Sequence, residues 1–586
     1  MKNHYLRICA LIIVLSFFIL ALSSCSFFNE EDLNGIIDEN ESYEKADSLT
    51  YYIVDDDSLY LEEYDDEVTV LYLAVGLTKS GGEVYDWSTL NSIPLDVQGN
   101  NPYSCEALVQ FGNEQSPEEG MFGYGEVLAN ATVRLQGQKA STRQQKNYRI
   151  DLKKGKGKYY GMKSFVLSKS FTDPFRVTQR FCNEFMELIP DMFSLRSQLV
   201  HLYVKDVTEE NSKYIDYGLY TLYEPVNKTY FKQRQLDDDG EMYKVENFDF
   251  GRHEDIIRLN TDPGYNSEAF ETLLEDKGSG DHSTLIEMLE AVNNYDIPIA
   301  DTVKKYFDKD NIYTYLAFQI LTGEYEKDTE DYFLYNPKGT DKFYFISTSD
   351  DSALRGDYMA MRKPGSIPKW EKGVSAFCQN VLFSRMFLSD SCVSNLSEAI
   401  DKLYEQYLSP DKSGELMSTL SELCKELIYS LPDKMYARVT SAQYDELTEK
   451  IPELIESNYY AYYDTLNYSQ PFHIKEPTVA ADGRIRLMWD ESLSNNPVTY
   501  KVMVDESWTF ESPVFSEDGI EGTQLEIGIL APGQYFVSVE AVTDGERSMS
   551  AYETYSNEHK ETVYGTLCFY VMQDGTVKAS WFNGEE

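Results

Sequence analysis

Between residues 471 and 565 apolar side chains recur at every second position: Ile485, Leu487 and Trp489, then Tyr500, Val502 and Val504, then Tyr535, Val537, Val539 and Ala541. Neighbouring side chains of a strand point to opposite faces, so this spacing predicts short antiparallel strands stacked as an all-β sandwich. Upstream the period lengthens. Leu285, Met288, Leu289 and Val292 fall at i, i+3, i+4 and i+7, Ile312 to Leu321 is an apolar segment, and Leu416, Leu420, Leu423 and Leu427 share one face. Residues from about 180 to 330 and from 370 to 465 are therefore predicted mainly helical, with Pro410 and Pro432 as breaks. Residues 51 to 135, with runs such as Val68 to Leu73, read as strand-rich. Tyr332 to Tyr335 and Phe343 to Ile346 read as a hairpin turned by Asn336-Pro337-Lys338-Gly339. The fold class is α+β, with an N-terminal β-rich region, an α-rich remainder and a C-terminal all-β sandwich.

The first residues follow a different rule. Lys2 and Arg7 precede an apolar run from Ile8 to Leu22, which stops at Leu22-Ser23-Ser24-Cys25. A basic start, a short apolar stretch and small residues before a cut mark an exported precursor rather than a membrane-spanning helix. Leu-Ser-Ser-Cys resembles the bacterial lipobox, which implies a lipid on Cys25 and a chain held at the outer face of a bacterial cytoplasmic membrane. The alternative is a plain secretory signal with a chance cysteine. The expected organisation is a signal peptide over 1–24, a flexible acidic spacer over 25–50, a folded body over 51–465 and the sandwich over 471–565.

Charge narrows the partners. With 52 Lys plus Arg against 99 Asp plus Glu, the net charge of −47 repels nucleic acid and anionic lipid. The 8 cysteines show no CxxC spacing and the 6 histidines no HExxH, so a zinc site has no support in the pattern. One segment runs against the field. Lys139, Arg143, Lys146, Arg149, Lys153, Lys154, Lys156, Lys158 and Lys163 stand together with Asp151 as their only acid. Such an island either concentrates a phosphate-bearing ligand or decorates a solvated hairpin. The glycines of Gly120-Met121-Phe122-Gly123-Tyr124-Gly125 offer a weak candidate for a phosphate-cradling turn. Arg355-Gly356-Asp357 spells an adhesion tripeptide, which we read as coincidence.

Six short motifs, taken in order, resemble the spore-coat protein H (CotH) kinase family over roughly residues 65 to 460. They are Val133-Arg134-Leu135-Gln136-Gly137 with Gln145-Lys146-Asn147-Tyr148-Arg149-Ile150; Asp173-Pro174-Phe175-Arg176-Val177; Tyr217-Gly218-Leu219-Tyr220 with Glu224; Met242-Tyr243-Lys244; Asp331-Tyr332-Phe333-Leu334-Tyr335; and Lys342-Phe343-Tyr344-Phe345-Ile346. The resemblance implies a divergent protein-kinase-like body, ATP and Mg²⁺ as cofactors if the site is active, and phosphoryl transfer to Ser or Thr of a surface or spore-coat-like protein. It places Lys146 and Arg149 on the phosphate side and Glu224 in a helix-side motif; Lys244 matches a family lysine whose role the sequence leaves open. The tryptophan-containing early strand and the Leu530-Ala531-Pro532-Gly533 turn before Tyr535 resemble a fibronectin type III module, another immunoglobulin-like sandwich being the alternative.

The departures fall on the chemistry. Where the family has a catalytic Asp this chain has Glu326, and Asp331 takes the place of the following Asn. The first metal Asp becomes Ser349, leaving Asp351 in its slot; a shift of one residue would let Asp350 substitute for it, and Asp328 would stand in for the missing base. Glu326 and Asp331 are thus the catalytic candidates, and Asp351 and Asp350 the metal candidates. Two function classes stay open: an extracellular kinase, or a non-catalytic surface or adhesion lipoprotein.

Overall fold

In the computed structural model the described residues are 55–60, 67–80, 83–95, 103–362, 368–544, 547–557 and 559–580. The expected signal peptide, Cys25 and the expected acidic spacer lie outside them. Seven strands, β1 (Thr69–Val75), β2 (Cys105–Gly112), β3 (Ala131–Gln136), β4 (Asn147–Leu152), β5 (Ser164–Ser168), β6 (Ser197–Asp206) and β7 (Ile215–Tyr223), close into a barrel in the order β1-β2-β3-β4-β5-β7-β6. The closure is a parallel pairing of β6 with β1. Closing the sheet removes its edges, and alternate side chains such as Val133, Ile150, Leu167, Val200, Leu202 and Leu222 fill the interior.

The strands therefore continue to Tyr223, across a stretch the sequence predicts as helical from 180. Only Thr178–Leu188 is helix there. The reason lies in what the wall separates. Val200 and Leu202 of β6 point into the barrel, whereas Leu199 and Leu219 point outward into the core of the helical part. A strand buried on both faces loses its period of two and reads as a continuous apolar run.

The helical part is built on helix Lys309–Thr322, buried on every side from Asn311 onward, started by the Asp308 carboxylate on the Asn311 N–H and stopped at Gly323 with φ 69°. Helices Asp390–Gln406 and Ile451–Thr465 pack against it, and Pro410–Ile428 packs in turn on the latter. Pro410 starts its helix, where its missing N–H costs nothing. A four-stranded antiparallel sheet lies alongside, in the order Leu274–Asp276, Glu241–Val245, Tyr332–Asn336, Tyr344–Ser347. Its last two strands are the hairpin expected from the sequence.

One carboxylate ties this part to the barrel. Asp433 accepts from Gln145 Nε2 at 2.8 Å and from the Leu219 N–H at 2.7 Å, and pairs with buried Lys169 at 2.7 Å. Burial pulls Lys169 down to about 8 despite Asp433. A Cβ on Gly218 (φ 78°) would meet Asp433 Oδ2 at 2.1 Å, so only glycine admits this contact.

Beyond Thr465 two sheets share one core: Ile485, Leu487, Trp489 and Ile527 from one, Tyr500, Val502, Tyr535, Val537 and Val539 from the other. All the period-two positions named from the sequence are buried. The second sheet runs past residue 565, through Thr566–Val571 and Val577–Ser580, because Leu567, Phe569 and Val571 complete that core. This unit also meets the helical part. Trp370 packs on Tyr552 and Tyr564 at 5.7 and 5.5 Å, and Ser384 Oγ donates to Gln470 at 2.7 Å. The described residues from 55 onward form one compact unit. Among the described residues no helix is long and apolar enough to cross a membrane.

Candidate functional site

The hairpin Tyr332–Ser347 delivers two loops to one place, and a buried lysine holds them together. Lys327, on the 3-10 turn Tyr325–Asp328, donates its Nζ to the carbonyls of Asp331 (2.8 Å), Thr348 and Ser349 (3.3 Å). Asp331 and Ser349 both hold left-handed backbone, at φ 66° and 58°. Strained residues persist where their surroundings over-determine them, and here that surrounding is one ammonium shared by three carbonyls. The next two residues then point opposite ways. Asp350 turns inward, fully buried, accepting from Ser347 Oγ at 2.5 Å and lying 3.8 Å from Lys327. Asp351 turns outward.

Asp351 faces a crowd of like charge. Burial, then Asp173, Glu326 and Asp331, push its carboxyl up to about 7, against Arg355. Asp173 is itself fixed, taking the N–H groups of Phe175 and Thr178 and the Thr178 hydroxyl at 2.8 to 3.0 Å. Across from Asp351 stands Tyr223, the last residue of β7. Burial, Asp351 and Asp331 raise its phenol, while Arg149 and Ser349 work the other way. One ring thus senses the barrel's arginine and the carboxylates of the helical part together. Lys244 flanks the same group: burial lowers it, but Glu246 and Asp331 more than compensate.

The family model described as CotH kinase protein matches residues 133–462, more than half of the chain. The chain belongs to the CotH kinase family. No curated protein matches it.

The CotH motifs meet at this cleft unequally. Arg149 lies on its barrel side, with Nε on Asp151 at 3.1 Å and a second nitrogen 3.3 Å from Ser164 Oγ. Lys146 is half-buried just before β4 and gives its ammonium to the Ser141 carbonyl at 2.6 Å; burial lowers its pKa. Glu224 follows the end of a strand rather than lying on a helix. Its carboxylate is buried between Arg196 at 2.7 Å and Arg234 at 2.6 Å, and Arg234 also holds Asp55. Burial would raise Glu224, but Arg234 and Arg196 keep it below the usual range. Glu326 sits at the cleft with Arg355 3.0 Å away; burial raises it, and Arg355 with Ser352 brings it below the ordinary value. Arg355 is thereby engaged inside the molecule, which removes the adhesion-tripeptide option.

Two substitutes and one candidate phosphate turn read from the sequence do not reach the site. Asp328 is buried and accepts the N–H groups of Gln379 and Asn380, both at 3.1 Å. Asp350 is occupied by Ser347 and Lys327, a direction set by the left-handed Ser349 before it. The glycine turn belongs to the barrel: a Cβ on Gly123 would meet the Val109 carbonyl at 2.1 Å, so its glycine serves a close strand approach. The cationic island divides as well. Lys153 and Lys156 pair with Glu106 and Glu126 of the outer barrel, whereas Lys139, Arg143 and Arg149 lie toward the cleft.

Among the described residues no three His, Cys, Asp or Glu side chains converge as a metal cage. Mg²⁺ does not ask for one, since it takes one or two carboxylates and completes its shell with phosphate oxygens and water. Asp331 and Asp351, mutually repelling and each only partly buried, fit that demand. Lys327, Asp173, Tyr223 and Asp433 were not singled out from the sequence. Only Asp173 carried a signal, as the first residue of a family motif.

Proposed function

We propose that this chain is an extracellular, lipid-anchored CotH-family protein whose cleft binds Mg·ATP and directs phosphoryl transfer to Ser or Thr of a surface protein, at an attenuated rate. In this reading the barrel and helical part are the two lobes of a divergent protein-kinase-like body. Cys25 is the membrane anchor, and the C-terminal two-sheet unit is a fibronectin type III-like module. The observation that carries the proposal is the strand register that sets Arg149 and Tyr223 on either side of Val166, with Asp331 and Asp351 of the other part acting on the Tyr223 phenol. Phosphoryl transfer needs little more than that pairing, cations for phosphate oxygens and carboxylates for a metal.

When bound, Mg²⁺ supplies positive charge against the transferring phosphate. Asp331 and Asp351 would hold it, and whatever fraction of Asp351 is protonated would give up its proton on loading. Arg149 presents a planar fork to phosphate oxygens. Glu326 is the group placed to accept the hydroxyl proton of the acceptor, and its pairing with Arg355 makes it a weak base. Lys327 and Asp350 fix the loops that carry these groups.

The same Glu326–Arg355 pair favours a second reading, a non-catalytic member that binds nucleotide or partner without turnover. The variant Ser349→Asp with Glu326→Asp separates the two. The left-handed backbone at Ser349 admits Asp, which restores a metal carboxylate, and the shorter base is drawn away from Arg355. Radiolabelled phosphate incorporated by the variant above wild type supports the kinase site. No incorporation by either, with nucleotide still bound, supports the second reading.

A further inference from the structure

Beside the cleft, three guanidinium groups gather on one ring. Arg438 lies 3.9 Å from the Phe171 centroid, Arg143 4.8 Å and Arg176 6.0 Å. Arg176 is buried and satisfied by neutral acceptors, the carbonyls of Lys169, Ser170 and Tyr436 and Oε1 of Gln145. Arg438 spends its Nε on the Phe171 carbonyl at 2.9 Å. Arg143 and Arg438 are half-buried, and among the described residues neither ion-pairs with a carboxylate. That is unexpected in a chain with 99 acidic side chains against 52 basic ones. The two arginines repel one another, and Arg143 feels Asp351, which puts the cluster at the edge of the proposed site.

We propose that Arg143 and Arg438, stacked on Phe171, form an oxyanion subsite that takes a doubly charged phosphate group. Stacking a guanidinium on an aromatic face fixes its plane and leaves its outer N–H groups free, and two such forks match the oxygens and charge of a phosphate dianion. A dianion offsets the Arg143–Arg438 repulsion more fully than a singly charged group does, so the subsite is selective for charge. The phosphate has two sources: the polyphosphate of a nucleotide, or a phosphorylated residue near the acceptor hydroxyl of a peptide. The subsite rests on the phosphoryl-transfer reading for its place beside an acceptor, whereas its own binding needs neither metal nor turnover.

The test is isothermal titration of the full chain, in EDTA, with sodium pyrophosphate in one arm and a phosphoserine peptide in the other. The wild type binds at least one probe, and binding weakens as salt is raised. Arg143→Gln with Arg438→Gln weakens it at least tenfold, while Lys154→Gln with Lys158→Gln, exposed cations of the outer barrel, leaves it unchanged. Arg143 donates no side-chain hydrogen bond within the described structure, so Arg143→Gln alone keeps the test valid should the double variant fail to fold. Pyrophosphate binding alone assigns the subsite to the nucleotide, and peptide binding alone to the acceptor. No binding of either probe by wild type, or an equal loss in the Lys154/Lys158 variant, overturns the proposal. Failure of Mg·ATP turnover with these results intact leaves it standing.

Discussion

Replacing Asp351 by Asn separates the electrostatics of the cleft from its shape. Burial and three neighbouring carboxylates hold Asp351 at about 7. A carboxyl at that value is roughly one-tenth ionised at pH 6 and nine-tenths at pH 8, and only the ionised form coordinates Mg²⁺. The metal-dependent part of ATP affinity is expected to rise by about tenfold between those pH values in wild type. The nucleotide's own phosphate titrates near pH 6 in both proteins, so the ratio of wild type to Asp351→Asn isolates the protein's share. Stability runs the other way. Below about pH 4 both folded and unfolded carboxyls are protonated; between pH 4 and 7 the unfolded state ionises first, so folded stability falls and stays lower above 7. Raising a carboxyl from its ordinary value near 4 to about 7 costs the folded state roughly 4 kcal/mol in full, and partial exposure reduces this to on the order of 1–2 kcal/mol. Asp351→Asn should therefore melt higher than wild type at pH 8 and equally at pH 4, by circular dichroism. An affinity ratio independent of pH, or no gain in melting at pH 8, refutes the reasoning.

Three further outcomes are expected. Glu224→Gln leaves two buried guanidiniums short of a partner and should cost about 3–5 kcal/mol, seen as a lower melting temperature; unchanged melting with lost ATP affinity would instead place Glu224 in the nucleotide site. Trp370→Ala empties the seam beneath Tyr552 and Tyr564, costing about 3–5 kcal/mol, and should speed proteolysis near residue 470; an unaltered digestion pattern counts against that seam. Cys25→Ser should move the protein from the membrane to the soluble fraction without changing its melting, and continued lipid labelling of the variant contradicts the anchor.

The fold was most legible where one face of an element meets water. The C-terminal strands and the helix Ser283–Asn293 announce themselves because buried and exposed positions alternate at a single period. β6 and β7 do not, because the barrel fills one face and the helical core covers the other. Their apolar run then carries no period to read. The site followed the same division. Family motifs brought Arg149, Asp331 and Asp351 to the cleft, yet spacing alone could not say that Asp350 faces inward, since a left-handed Ser349 before it sets the direction. Nor could it show that Glu224 is claimed by Arg196 and Arg234, which lie 28 residues before and 10 after it. Lys327 carries no signal of its own in Glu326-Lys327-Asp328, and its role exists only once three carbonyls close around it.

The central claim is that Asp331 and Asp351 hold a metal-bridged nucleotide against Arg149. Calorimetric titration of the full chain with ATP, in Mg²⁺ and in EDTA, for wild type and for Asp331→Asn with Asp351→Asn, tests it most directly. Wild type should bind ATP at least tenfold more tightly with Mg²⁺ than in EDTA, and the double variant should lose that difference while keeping its fold. Equal affinity in Mg²⁺ and EDTA for wild type, or an undiminished Mg²⁺ effect in the double variant, would contradict it.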